Sequence, residues 1–341
     1  MSALRRGEHR FGRLNLALQG GGAHGAFTWG VLDRLLEEAA LEIDTISAAS
    51  AGAVNAVAML SGLAEGGKEA AKARLDQVWL AISKAGLPDY ARLNPFFAGL
   101  MRVPGIVSPY AFNPLDLNPL RSILAKHIDF DRLRATPPAR LIISATDIAT
   151  GRARLFDETE IGIDVVLASA SLPTLYRAVE IEGRYYWDGG FSANPDLLSL
   201  VARSTTGETL LVLLNPMAAE GAAPRQAADI AHHMSRITFN QPLLRDLGEI
   251  EARRQAATGL RGWLAGRAER RLARHRFHLI SADAYTAELA PESKLQTHWE
   301  LLSHLKAAGR KEAACWLGTD AAGDTTDALG LGSAKRNRTA A

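Results

Sequence analysis

Over residues 13–19 (RLNLALQ), Leu14, Leu16 and Leu18 fall at every second position, and the alternation predicts a short strand. Gly20, Gly21 and Gly22 then break the pattern. From His24 the period changes, with Phe27, Val31, Leu35 and Ala39 spaced four apart as on one face of a helix. Residues 43–48 predict a second strand that runs into Ser50 and leaves at once as a helix, and residues 68–84 predict another helix with Leu75, Val78, Trp79 and Ile82 on one side. Residues 87–119 change character: Pro88, Pro95, Pro104, Pro109, Pro114 and Pro119 prevent long regular elements and alternate with aromatic and aliphatic residues. This segment, 86–119, is expected to form a cap or lid.

Further along, residues 118–127 predict a helix, 140–147 (RLIISATD) a central strand, 152–156 another strand and 163–170 a small-residue helix. Residues 178–187 alternate about Glu182-Gly183 and predict a hairpin that delivers the chain to Asp188-Gly189-Gly190. Residues 208–215 predict a buried strand, residues 225–276 are helical and rich in arginine, 276–281 predict a last strand, and a helix is expected from Ser293 to about Leu317. Strands alternating with helices argue for an α/β fold: a mainly parallel sheet covered on both faces.

The chain's 341 residues suffice for one large domain, expected over 13–318, with a basic leader at 1–12 and a disordered tail at 319–341. A formal net charge of +2 argues against a dedicated nucleic-acid binder. The single cysteine, Cys315, can form no internal disulfide and fits a reducing compartment. The leader has no apolar stretch behind its charges, so no signal peptide is read and the expected location is cytoplasmic. The uncharged run 45–64 is long enough for a membrane span, but its serines, threonine, asparagine and glycines fit a strand, a turn and a buried helix better. Between Arg253 and Arg276, eight arginines oppose Leu260, Trp263, Leu264, Ala268 and Leu272, the pattern of an interfacial helix in peripheral contact with anionic lipid on the inner membrane face. His232 and His233 are adjacent rather than spaced for one helix face, and no metal-ligand cluster or cofactor is read.

Three motifs carry chemistry. Ser50 stands between Ala48, Ala49, Ala51 and Gly52, the small neighbours a strand-to-helix nucleophile elbow requires, although a serine here can also be a plain helix cap. The glycine loop offers backbone N–H groups at a helix start, where anions bind. Gly20, Gly22 and Gly25 satisfy the dinucleotide fingerprint, yet Glu42 and Asp44 stand before or at the start of the second strand, whose end should carry the ribose-binding acid. The same loop can serve as an oxyanion hole. Asp188-Gly189-Gly190 is either an ordinary turn or the site of a base.

Together, QGGGAHG at 19–25, SAASAG at 47–52 and WDGG at 187–190 resemble the patatin-like phospholipase family in order and spacing, with similarity running over about residues 14–214. The resemblance implies a three-layer α/β/α fold and a serine lipid acyl hydrolase of phospholipase A or carboxylesterase type, acting on lipid or other acyl esters without a cofactor. By position, Ser50 and Asp188 would form the dyad and Gly20, Gly21, Gly22 and Gly25 the oxyanion loop, with His24, Gly52, Gly189 and Gly190 auxiliary. Two residues depart from the pattern. Ala48 replaces the first elbow glycine, and His24 stands where many relatives have arginine or lysine, so it would bring positive charge only below roughly pH 6.5. Three alternatives stay open: a Ser50–His24 pair, a catalytically silent lipid-binding protein, and a dinucleotide-binding oxidoreductase. Head group, acyl position and oligomeric state are left undetermined.

Overall fold

The computed structural model describes residues 12–85, 108–217, 223–258, 266–286, 289 and 291–318. In chain order the strands are β1 (Arg13–Leu18), β2 (Glu42–Ala48), β3 (Arg140–Asp147), β4 (Ala153–Asp157), β5 (Val179–Ile181), β6 (Arg184–Asp188), β7 (Glu208–Leu213) and β8 (Arg276–Ser281). The helices are α1 (Gly25–Leu35), α2 (Ala51–Ala85), α3 (Pro109–Phe112), α4 (Pro119–His127), α5 (Phe130–Ala135), α6 (Ile163–Ser169), α7 (Leu197–Arg203), α8 (Ala227–Thr258), α9 (Arg267–Arg274), α10 (Asp283–Thr286) and α11 (Trp299–Gly318). Short 3-10 turns occupy Gly22–His24, Gly189–Phe191 and Pro291–Leu295.

The strands form one sheet in the order β5-β6-β3-β2-β1-β7-β8, with β4 paired to β3 off this path. The pairs from β3 through β8 are parallel, and β4, β5 and β6 run antiparallel to their neighbours. β1 and β7 carry apolar residues on both faces. Leu14, Leu16 and Leu18 of β1 join the larger core with α1, α2 and α11, while Ala17 joins a second core with α7, α8 and α9. Helices thus cover both faces, as the alternation of elements predicts.

Local chemistry explains the element boundaries. α2 contains the two helices predicted over this stretch, merged across a kink where Gly66 and Gly67 leave helical geometry, Gly67 at φ +76°. The β5–β6 hairpin turns on Glu182 and Gly183, both at positive φ, as a two-residue turn between right-twisted strands requires. Pro109 and Pro119 sit at the starts of α3 and α4, behind Ser108 and Asn118 caps.

Two expectations need correction. The helix expected from Ser293 begins at Trp299, because residues 291–295 form a separate 3-10 turn. The arginine-rich stretch is not one outward-facing amphipathic helix: Gly266, just ahead of α9, has extended backbone, and Leu272 of α9 is buried in the second core. Leu260, Trp263 and Leu264, residues 1–11 of the leader, residues 86–107 of the cap segment and the tail from 319 lie outside the described residues. Among the described residues no helix is long and apolar enough to cross a membrane.

α11 lies against α1 at a distance only glycine allows. A Cβ on Gly30 would overlap the carbonyl of Lys306, and one on Gly309 would overlap that of Phe27. Lys306 covers the Trp29 ring at 4.2 Å, Trp29 stacks on Trp79 of α2, and Arg310 pairs with Asp33 of α1 and with Glu37 in the turn after it. Because backbone cannot retreat as a flexible side chain can, Gly309→Ala is expected to lower unfolding free energy by about 2–3 kcal/mol in a urea titration. Gly248→Ala, on α8 with open space around it, should leave the midpoint unchanged or raise it.

Candidate active site

β2 ends at Ala48, α2 begins at Ala51, and Ser50 makes the turn with φ +52°. A side chain in this left-handed region costs on the order of 1–2 kcal/mol, so neighbours must hold it there. The Ser50 N–H donates to Ser169 Oγ at 2.8 Å, and the N–H groups of Gly52, Ala53 and Val54 donate to the carbonyls of Ala49 and Ser50. The elbow is also crowded. A Cβ on Gly52 would overlap the Leu18 carbonyl, and one on Gly20 would lie 2.8 Å from Ser50 Cβ. The Ala48 methyl is buried in the main core, and the turn forms with it in place.

Strand pairing explains how Asp188 reaches Ser50. β2 runs along one edge of β3 as far as Ala48 opposite Ile143, while β4 occupies the other edge. Two residues on, Ala145 is opposite Asp188, so β6 takes over the edge that β2 vacates where the chain turns at Ser50. The Asp188 carboxylate accepts a hydrogen bond from the Gly190 N–H at 2.7 Å and lies near enough to the Ser50 hydroxyl for that hydroxyl to lower its pKa. Its backbone is clamped as well: the N–H donates to Ser171 O and the carbonyl accepts from Thr146 Oγ1. Burial raises its pKa to about 7, against the lowering effect of the Gly190 N–H and the Ser50 hydroxyl. Asp-Gly-Gly is thus a turn that sets the Asp188 carboxylate beside Ser50. Gly189 is required because a Cβ would overlap the Ser144 carbonyl, and a Cβ on Gly190 would lie 2.5 Å from the Phe239 ring.

The glycine loop divides its labour differently from the sequence-based expectation. The Gly20 N–H donates to Asn194 Oδ1 at 2.8 Å, and the Gly25 N–H is taken within the 22–24 turn by the carbonyls of Gly22 and Ala23. Neither is free for a ligand. Gly25 instead lets α1 approach α2, since its Cβ would lie 2.6 Å from that of Ala51. The N–H groups of Gly21, Gly22 and Ala51 meet no acceptor among the described residues.

His24 turns the other way. Its Nε2 is 2.7 Å from Ser293 Oγ, and burial, then the charge of Lys294, lower its pKa to about 4. It is neutral at physiological pH, and its hydrogen bond goes to Ser293, which removes both the Ser50–His24 pair and the positive charge expected of it. Asp44 lies at the far end of β2 from Ser50, bound to the Thr205 N–H and hydroxyl, and Glu42 pairs with Arg13. The loop therefore lacks the carboxylate a dinucleotide ribose would need. Among the described residues no group of His, Cys, Asp and Glu is arranged to hold a metal ion.

A family model described as patatin-like phospholipase matches residues 16–201, more than half of the chain. The chain belongs to the patatin-like phospholipase family. Patatin-like proteins are lipid acyl hydrolases, and the matched region holds Ser50, Asp188 and the whole glycine loop. The crystal structure of VipD from Legionella pneumophila is similar at 15% identity, over 86% of this chain and 67% of that one, with a TM-score of 0.38. No curated protein matches the chain.

Several supports of the patatin-like site carry no sequence signal. Ser169, Asn194 and Thr146 look like ordinary polar residues until folding sets them against Ser50, Gly20 and Asp188. Gln19 adjoins the glycines, and its side chain accepts from the N–H groups of Leu214 and Asn215 while donating to Asn240 at 3.1 Å. Leu214, Asn215 and Asn240 all lie beyond the matched region.

The elevated pKa of Asp188 sets a stability test. Its folded value lies above the unfolded 3.8, so burying it destabilises the fold fully above about pH 7 and not at all well below pH 4. Asp188→Asn, which keeps an acceptor for the Gly190 N–H, is expected to be more stable than wild type at pH 8, by up to a few kcal/mol at about 1.36 kcal/mol per pKa unit. The gap should close as thermal melts are repeated toward pH 4.

Proposed function

We propose that the protein is a serine lipid acyl hydrolase, of phospholipase A or carboxylesterase type, acting through Ser50 and Asp188. The observation that carries this reading is the strained Ser50 elbow set beside the buried Asp188 carboxylate, whose pKa of about 7 is raised by burial and lowered by the Gly190 N–H and the Ser50 hydroxyl. A general base works best when its pKa lies near the working pH, and burial brings Asp188 there without a histidine.

In the first half-reaction, Ser50 Oγ bonds to the ester carbonyl carbon as its proton passes to Asp188. Negative charge develops on the carbonyl oxygen, and the free N–H groups of Gly21, Gly22 and Ala51 are the donors available to it. Collapse of this intermediate expels the alcohol, which leaves with the proton from Asp188, and the acyl group stays on Ser50. Water then attacks the acyl-enzyme, its proton going to Asp188. The fatty acid departs and Ser50 recovers its proton.

The cap role of residues 86–119 belongs to this reading. In its described part Tyr110, Leu115 and Leu117 are exposed, with the Arg177 guanidinium over the Tyr110 ring at 5.0 Å, which suits an apolar wall for an acyl chain. Contact with an anionic membrane rests on the exposed Arg267, Arg271 and Arg274 of α9, since Leu272 faces the core. Vesicles containing phosphatidylglycerol should therefore retain the protein at low salt and release it at high salt, while pure phosphatidylcholine vesicles should not retain it. Equal retention by both would remove this part of the reading.

Activity provides the main test. A fluorophosphonate probe should label wild type and not Ser50→Ala. On a soluble short-chain ester, Asp188→Asn should lower kcat/KM by at least about a hundredfold, and His24→Ala should keep most of it. Below about pH 7, where Asp188 takes up its proton, wild-type kcat/KM should fall about tenfold per pH unit. Wild-type rates in Asp188→Asn would overturn the assignment of the base.

A further inference from the structure

The 3-10 turn Pro291–Leu295, outside the region that the family model matches, grips the glycine loop at three points. The carbonyl of Lys294 packs so closely on Gly22 that any side chain there would overlap it. Ser293 Oγ is hydrogen-bonded to His24. The Lys294 ammonium donates to Asn215 Oδ1, and Asn215 in turn donates to the Gly20 carbonyl at 3.1 Å.

An ordinary surface lysine would reach water or a carboxylate. Lys294 is partly buried, and among the described residues no carboxylate lies within ion-pair distance of it. The titratable groups that sense its charge are His24 in the loop and His232 on α8, whose pKa is lowered by burial, then by Lys294, and further by His233 and Arg236, with the Asp229 carboxylate acting in the opposite sense. A cation with no carboxylate partner among the described residues, tied through Asn215 to the loop that carries unpaired backbone N–H groups, suits a site where negative charge appears only during reaction.

We propose that Lys294 is a positioning residue of the acyl-transfer site: its ammonium, anchored on Asn215, fixes the glycine loop and keeps a positive charge beside the N–H groups of Gly21 and Gly22. This rests on the reading of Ser50 as nucleophile. The lysine touches no reacting atom. It acts through the loop and through its field.

Burial lowers the Lys294 pKa to about 8, so its charge is lost within an accessible pH range and gives a readout that a purely structural contact would not. The experiment compares wild type, Lys294→Met and Lys294→Arg on a soluble p-nitrophenyl ester from pH 5 to 10, with fluorophosphonate labelling of Ser50 in parallel. Wild-type kcat should decline above about pH 8. Lys294→Met should show kcat at pH 7 lowered roughly tenfold, less than the loss of a direct oxyanion donor, with KM nearly unchanged and no alkaline decline. Lys294→Arg keeps its charge throughout this range, so it should restore most of kcat at pH 7 and also abolish the alkaline decline.

If Lys294→Met does not fold, Lys294→Arg decides alone: an alkaline decline that persists at its wild-type position overturns the proposal. So does a Lys294→Met enzyme with wild-type kcat and pH profile. Wild type that neither turns over ester nor is labelled at Ser50 fails the underlying reading instead, and the two failures are therefore distinct.

Discussion

One edge of β3 carries the consequence for everything at the site. β2 pairs with it up to Ala48 and leaves, and β6, arriving antiparallel, pairs with the next stretch and ends at Asp188. A strand edge cannot pair with two neighbours at one position, so the departure of β2 toward Ser50 and the arrival of β6 at Asp188 are a single event in the ladder. The separation of Ser50 and Asp188 in sequence is bridged by backbone hydrogen bonds, whose register cannot drift by less than a residue. This is why two side chains from distant parts of the chain meet on rigid elements rather than on loops.

Around that edge the packing is closer than side chains allow. Gly20 against Ser50, Gly25 against Ala51, Gly52 against Leu18 and Gly189 against Ser144 each place backbone where a Cβ would intrude. The site holds two unfavourable features, a left-handed serine and a buried carboxylate, and such features persist only where the surroundings over-determine them. Clamps from Ser169, Ser171 and Thr146 meet that condition locally. The tight α1–α11 contact and the two apolar cores meet it for the domain.

Much of this was legible in the chain itself, because hydrophobic period follows from burial on known faces. The strand at 140–147 and the hairpin about Glu182-Gly183 fall where their residues predict, and the kink at Gly66-Gly67 falls just before the second helix expected over 68–84. Small residues around Ser50 and glycines after Asp188 were informative for the same reason: sterics act locally. Hydrogen-bond allocation does not. That Gly20 and Gly25 use their N–H groups internally while Gly21 and Gly22 keep theirs depends on Asn194 and the geometry of one 3-10 turn. His24 misled for a related reason, since its partner, Ser293, comes from the other end of the chain. The arginine-rich stretch misled because periodicity alone cannot tell whether Leu272 faces lipid or core.

In the proposed dyad, the pKa of Asp188 is what would let Ser50 act without a histidine. An exposed aspartate near 3.8 would be a poor base at neutral pH, its conjugate acid far too strong to hold a proton taken from a hydroxyl. Burial removes that mismatch, and the Gly190 N–H prevents it from going too far, because a carboxyl with no hydrogen bond would stay protonated well above neutrality. Burial at His24 has the opposite sense: it drives an imidazole toward the neutral form and takes its charge out of the site. One environment, dry and crowded with backbone, thus favours the carboxylate over the imidazole as the proposed base.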